Sequence, residues 1–129
     1  MKRIVGYFDH LHFTESRLGE PVVKSGTLTI PVSGLLTLKG HPLNDGTLKQ
    51  ISGYLVFAEV SKSARKLTEY IGDPRHPQGF KDEYLVEDIP PGTFDENATT
   101  YLLEGTLNTP VAWVDWEVRA RNFELHTDS

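Results

Sequence analysis

Residues 111–126, VAWVDWEVRARNFELH, constrain this fold more than any other stretch. Along a strand, successive side chains point to opposite faces. Here Ala112, Val114, Trp116, Val118 and Ala120 form one wholly apolar set. Trp113, Asp115, Glu117, Arg119 and Arg121 form the other, which is charged except at the Trp. A half-buried antiparallel strand explains this alternation. A helix does not, because the apolar residues recur at every second position rather than every third or fourth. Phe123 and Leu125 belong to the charged set by parity, yet they are apolar. Either a β-bulge near Arg121-Asn122 restores the register, or the strand passes there from one sheet to another.

The rest of the chain reads as further strands and turns. Residues 4–13 are apolar at most positions and read as a strand that places His10 and His12 on one face with Phe8. Residues 15–21 read as a polar connection. Over 27–39, Leu28, Ile30, Val32, Leu36 and Leu38 share a face if Gly34 keeps the phase, and Pro31 implies an edge strand or a break. Asn44-Asp45-Gly46 is a strong turn signal. Residues 48–60 are apolar on both faces and read as a central strand. Residues 61–71 are ambiguous. Ala64, Leu67 and Ile71 lie at helical spacing, with Ser61 or Ser63 to cap the start and Gly72 and Pro74 to end it. A short helix over 62–71 is favoured over a strand. GDPRHPQG at 72–79 reads as irregular, 83–88 as a short strand and IPPG at 89–92 as a turn. Residues 100–107 alternate, with Tyr101, Leu103 and Leu107 on one side, and Asn108-Thr109-Pro110 turns the chain into the long final strand as a hairpin. The tail from His126 reads as frayed.

These elements predict a single β-rich domain over residues 1–129. Its class is mainly β: an antiparallel β-sandwich or jelly-roll-like barrel, with at most the one helix. At 129 residues the chain can bury a sizeable core without staples. It has no cysteine, which excludes disulfides, thiolate metal sites and cysteine nucleophiles. The start, MKRIVGYFDH, lacks the apolar run of a secretory signal, and no 18-residue apolar run suggests a membrane span. A soluble, cytoplasmic protein without membrane partners is the expectation. Net charge is −5 and the 13 Lys and Arg are scattered, which argues against nucleic acid.

No complete catalytic signature is present. A G-x-S-x-G elbow, a G-x-G-x-x-G turn and a Walker loop are all missing. His10-Leu11-His12 is the sharpest chemical feature, since two imidazoles on one strand face suit one divalent transition metal. Asp9, Glu15, Glu20, His41 or His76 would have to complete the set. The order Gly6, His10, His12, Glu15, Gly19 is similar to the first metal-binding motif of cupins, a jelly-roll family, but with shorter spacings. The His expected after Pro77-Gln78-Gly79 is absent, so the chain is not assigned to that family. Asp95 and Asn97 resemble half a calcium loop, for which ordinary turn chemistry is the simpler reading.

Three functions follow. The first is a non-enzymatic binding or assembly module for a protein partner or a second copy, using Trp113, Asp115, Glu117, Arg119 and Arg121. The charged residues have a plainer role open to them, pairing with neighbouring strands in water. The second is a metal-dependent enzyme or metal binder through His10 and His12. The third is carbohydrate binding, with Trp113 or tyrosines as stacking platforms.

Overall fold

The computed structural model describes residues 2–47, 49–108 and 110–127. Among these described residues nine strands follow in order: β1 Lys2–Val5, β2 Leu11–His12, β3 Arg17–Leu18, β4 Val22–Lys24, β5 Thr27–Thr37, β6 Ile51–Asp73, β7 His76–Ile89, β8 Thr99–Asn108 and β9 Val111–Thr127. The sheet runs β1-β9-β8-β3-β5-β6-β7, and β9 also pairs β6. That last pairing closes β9, β8, β3, β5 and β6 into a barrel, with β1 and β7 as outer additions. Nearly all the pairings are antiparallel; β3 beside β8 is the parallel one. Among the described residues, no helix is long and apolar enough to cross a membrane.

The alternation in β9 becomes the barrel wall. Ala112, Val114, Trp116, Val118 and Ala120 are all buried. Arg121 and Asn122 both face solvent, and Phe123, Leu125 and Thr127 are buried again. At this level β9 exchanges one neighbour for another: β8 pairs it up to Ala120, and β1 from Glu124. β6 exchanges β5 for β7 at the same level, and its ladder with β9 shifts between Val60 and Lys62. The change of phase thus marks a change of sheet partner.

The helix expected over 62–71 is not formed. This stretch lies inside β6, paired to β9 on one edge and β7 on the other. A helix would sacrifice both ladders, so tertiary pairing overrides the local spacing. Ser63 and Leu67 point inward at period two, while Ile71 is exposed. Nor is 72–79 irregular. β6 and β7 meet in a tight hairpin, Asp73 pairing with His76. Asp73 Oδ1 accepts the Arg75 backbone N–H at 2.9 Å, and Asp then Pro suit the first two turn positions.

Other expectations shift in register. Gly34 does not keep the phase. With φ +66° it bulges β5, so Leu35 is buried and Leu38 is exposed. Pro31 does not break β5. Its carbonyl accepts from Gly19 N–H at 2.7 Å, on the side where β3 has already ended, so no ladder bond needs the missing donor. Residues 51–58 of β6 are buried on one face only, and Leu48 lies outside the described residues. The stretch 4–13 is not one strand: Gly6 and Tyr7 take positive φ, and Phe8–His10 form a 3-10 turn. The 15–21 connection contains β3, with Leu18 fully buried. His126 and Thr127 are strand, not frayed tail; residues 128–129 lie outside the described residues, as does Thr109, on which part of the expected 108–110 turn falls.

The 3-10 turn inserts Phe8 among the inward rings of the barrel. Its centroid lies 4.9 Å from Tyr101, 5.1 Å from Phe123 and 5.2 Å from Phe13. Phe57 and Phe123 are cross-strand partners with centroids 5.1 Å apart.

Candidate functional site

The outer face of β9 runs between β8 and β6, and register fixes each residue's neighbours. Trp113 is half-buried between Thr106 of β8 and Thr68 of β6. Its flanks are therefore threonines, not the further aromatic rings that would extend a stacking platform. Lys62 Nζ lies 2.9 Å from Glu117. Arg121 pairs with Asp95 at 2.8 Å. Arg119 donates to Thr100 Oγ1 at 2.9 Å and to the Asp95 carbonyl at 3.1 Å, with its guanidinium over the Phe94 ring. These arginines pin the 94–97 loop to β9. Hydrogen bonds from Arg121 and then from the Asn97 backbone hold the Asp95 carboxyl below its ordinary value. The Asp95–Asn97 pair is therefore a turn clasped by an arginine.

Asp115 is different. Its cross-strand neighbours are Glu104 on β8 and Lys66 on β6. Lys66 turns instead to Glu83 of β7, at 3.3 Å. Glu104 accepts from Thr14 Oγ1 at 2.9 Å and, like Asp115, forms no ion pair among the described residues. Two carboxylates thus stand directly opposite each other, an arrangement that costs stability in a sheet. They border an open groove of about 540 Å3, lined by residues 11–14, 102–104 and 115–117. His12 is on its wall beside Asp115 and Glu117, and Leu102, 68% exposed, stands at its edge. The structure therefore brings His12 together with two of the predicted β9 residues, while Trp113, Arg119 and Arg121 are not among the groove's lining residues. Glu104 and Leu102 escaped the sequence reading. Counting back across the two-residue turn between Asn108 and Val111 would have placed both opposite the β9 acids.

His10 and His12 part company. His12 sits in β2, whereas His10 closes the 3-10 turn and lies beside His41 from the loop after β5. The Tyr7 ring stands edge-on to both imidazoles, at 6.0 and 5.8 Å. Gly40 lets the backbone pass here: a β-carbon would come within 2.8 Å of the His10 ring. His41 is 3% exposed. Its Nδ1 accepts from Leu43 N–H at 3.1 Å, so the neutral ring carries its proton on Nε2. Nε2 of His41 and Nδ1 of His10 are buried without a hydrogen-bond partner among the described residues. A metal at His41 Nε2 would require moving that proton to Nδ1, which would break the Leu43 bond. Among the described residues, no group of three or more His, Cys, Asp or Glu side chains is arranged to hold a metal ion.

Burial first, and the neighbouring His10 second, lower the pKa of His41. The unfolded chain therefore takes up a proton at this position at a higher pH than the folded protein does. The stabilising contribution is full above about pH 6.5 and disappears as the pH falls through the folded value. His41→Asn keeps an acceptor for Leu43 and removes the titration. The variant is expected to lose less stability than the wild type between about pH 7 and pH 5. Urea denaturation at the two pH values measures this, and equal losses would exclude His41 as a source of the acid sensitivity.

Comparison with known proteins leaves the site to speak for itself. The chain matches no family model, no curated protein and no solved structure.

Proposed function

We infer that the protein is a non-enzymatic binding module whose groove beside β9 receives a cationic group from a protein partner. The opposed pair of Glu104 and Asp115 carries this reading. Lys66, the cation placed to neutralise Asp115, is engaged with Glu83, so Asp115 stays exposed and Glu104 half-buried, neither with a cation, beside Leu102. A Lys or Arg seated between the carboxylates would relieve their repulsion, and Leu102 would supply apolar contact beside it. An isologous dimer through the groove would set the two carboxylates of one copy against the same two of the other. The expected partner is therefore a different protein with a basic surface.

Asp115→Asn is expected to stabilise the isolated protein by about 0.2–1 kcal/mol while weakening association. Thermal unfolding measures the first effect. Quantitative capture from a lysate, wild type against variant, measures the second. A variant that is less stable, or that retains every partner the wild type retains, would remove the basis for the groove. Concentration-dependent dimerisation abolished by the same substitution would replace the basic partner with a second copy.

A further inference from the structure

A separate feature lies on the other side of β6. β7 ends the sheet, so one edge of this 14-residue strand has no ladder partner among the described residues. Its N–H and C=O groups on that edge form a template for another strand. Beside it is a cleft of about 450 Å3 that opens between β7 and the β3–β5 region. Leu18, Val32, Leu67 and Leu107 make a buried apolar floor, and Tyr84 and Val86 of β7 line it. The far end of the hairpin is tied down. Arg75 donates to the Thr14 carbonyl at 3.0 Å and the Ser16 carbonyl at 3.2 Å. The cleft is thus bounded by β5–β6 pairing at one end and by this latch at the other.

The charges select the occupant. Arg65 is paired with Asp88, Lys66 with Glu83 and Lys81 with Glu69. Asp82 and Glu87 on β7, and Glu20 across the cleft, form no ion pair among the described residues. Arg17 is the one rim cation likewise unpaired there. Within the cleft Glu20 and Arg17 offset each other, so the excess charge is on β7 itself, with Asp82 on its cleft face and Glu87 on its outer face. A second copy of β7 laid antiparallel about Tyr84-Leu85 would oppose Asp82 to Glu87, which disfavours self-pairing in that register.

We propose that this cleft binds an extended basic–apolar peptide segment of a partner protein as an added strand on β7. The backbone bonds to the free edge, alternate apolar side chains enter the floor, and the Lys or Arg side chains between them point to the outer face and meet Glu87. This assignment does not depend on the β9 groove, which lies on other strands.

The probe is a short, acetylated and amidated peptide of alternating Lys and Val, added to the full chain at up to millimolar concentration. Amide hydrogen exchange is read by NMR. The expected result is slowed exchange at alternate β7 amides, those pointing away from β6. The same peptide with every backbone nitrogen methylated is expected to give none, and so is a Glu–Val peptide. Glu87→Lys should weaken the Lys–Val peptide by about threefold, as for one exposed ion pair lost and reversed. A spectrum with wild-type dispersion verifies the fold of this variant. The proposal is overturned if β7 amides show no protection. Equal protection by the methylated peptide overturns it too, since binding would then be by charge alone. So does a dimer whose β7 amides are already protected without peptide.

Discussion

Asp88→Ala is expected to destabilise the protein by about 3–5 kcal/mol, the usual cost of stranding one partner of a buried ion pair. Asp88 receives Arg65 through two bonds, Nε at 3.0 Å and Nη2 at 2.7 Å. The two side chains are 8% and 14% exposed. Ser63 Oγ donates to the same carboxylate at 3.3 Å and accepts from Trp116 Nε1–H at 2.9 Å. The Arg65 guanidinium lies 4.9 Å from the centroid of the Trp116 ring, closing the circuit across β7, β6 and β9. Without Asp88 the guanidinium keeps its charge in a largely enclosed position on the cleft wall with no carboxylate to meet it. For a domain whose total stability is about 5–15 kcal/mol, this loss would populate the unfolded state measurably. Replacing both partners, in Arg65→Met/Asp88→Leu, should recover most of it, because no buried charge then lacks a partner. Urea denaturation of both variants measures the effect. A cost below about 1 kcal/mol for Asp88→Ala would mean that the pair behaves like one exposed to solvent.

Phe57→Ala should be comparably damaging, by about 3–5 kcal/mol, for a different reason. Phe57 is fully buried and packs against Phe8, Tyr101 and Phe123. Its neighbours lie on β8, β9 and the 3-10 turn, so no single segment can move in to fill the space. The cavity term therefore adds to the lost transfer energy. Phe57→Leu retains part of the volume and is expected to cost clearly less. Equal costs for the two would show that ring contacts, rather than volume, dominate this end of the barrel.

The sequence and the structure agree most closely where one strand has one buried face. In β9 the alternation identified every inward residue from Ala112 to Ala120, because period two is a property of the strand itself. The class, mainly β with a barrel core, followed from such patterns and from frequent turns. Residues 61–71 went the other way. Ala64, Leu67 and Ile71 fit a helical stripe, but hydrogen bonds from β7 and β9 decide the conformation, and those strands lie far along the chain. The groove was half legible. Asp115 and Glu117 stood out as the charged face, and hairpin arithmetic places Glu104 opposite Asp115. That Lys66 turns away to Glu83 depends on the β6–β7 register, which shifts at three points that no local pattern marks. The same holds for His10 and His41. Their contact comes from a 3-10 turn and a loop brought together by the closed sheet, not from the H-x-H spacing.

By itself, then, the sequence determined which side of β9 faces inward from Ala112 to Ala120, that a turn falls at 44–46, and that no thiol chemistry is available. These are short-range properties, set by side-chain parity, turn chemistry and residue type. Tertiary structure alone decided that β9 closes onto β6, that Arg65 and Asp88 meet in a largely enclosed pair, and that β7 is left with a free edge above an apolar cleft. Each of those is a long-range pairing. Its free energy belongs to two distant segments at once, and neither segment encodes it alone.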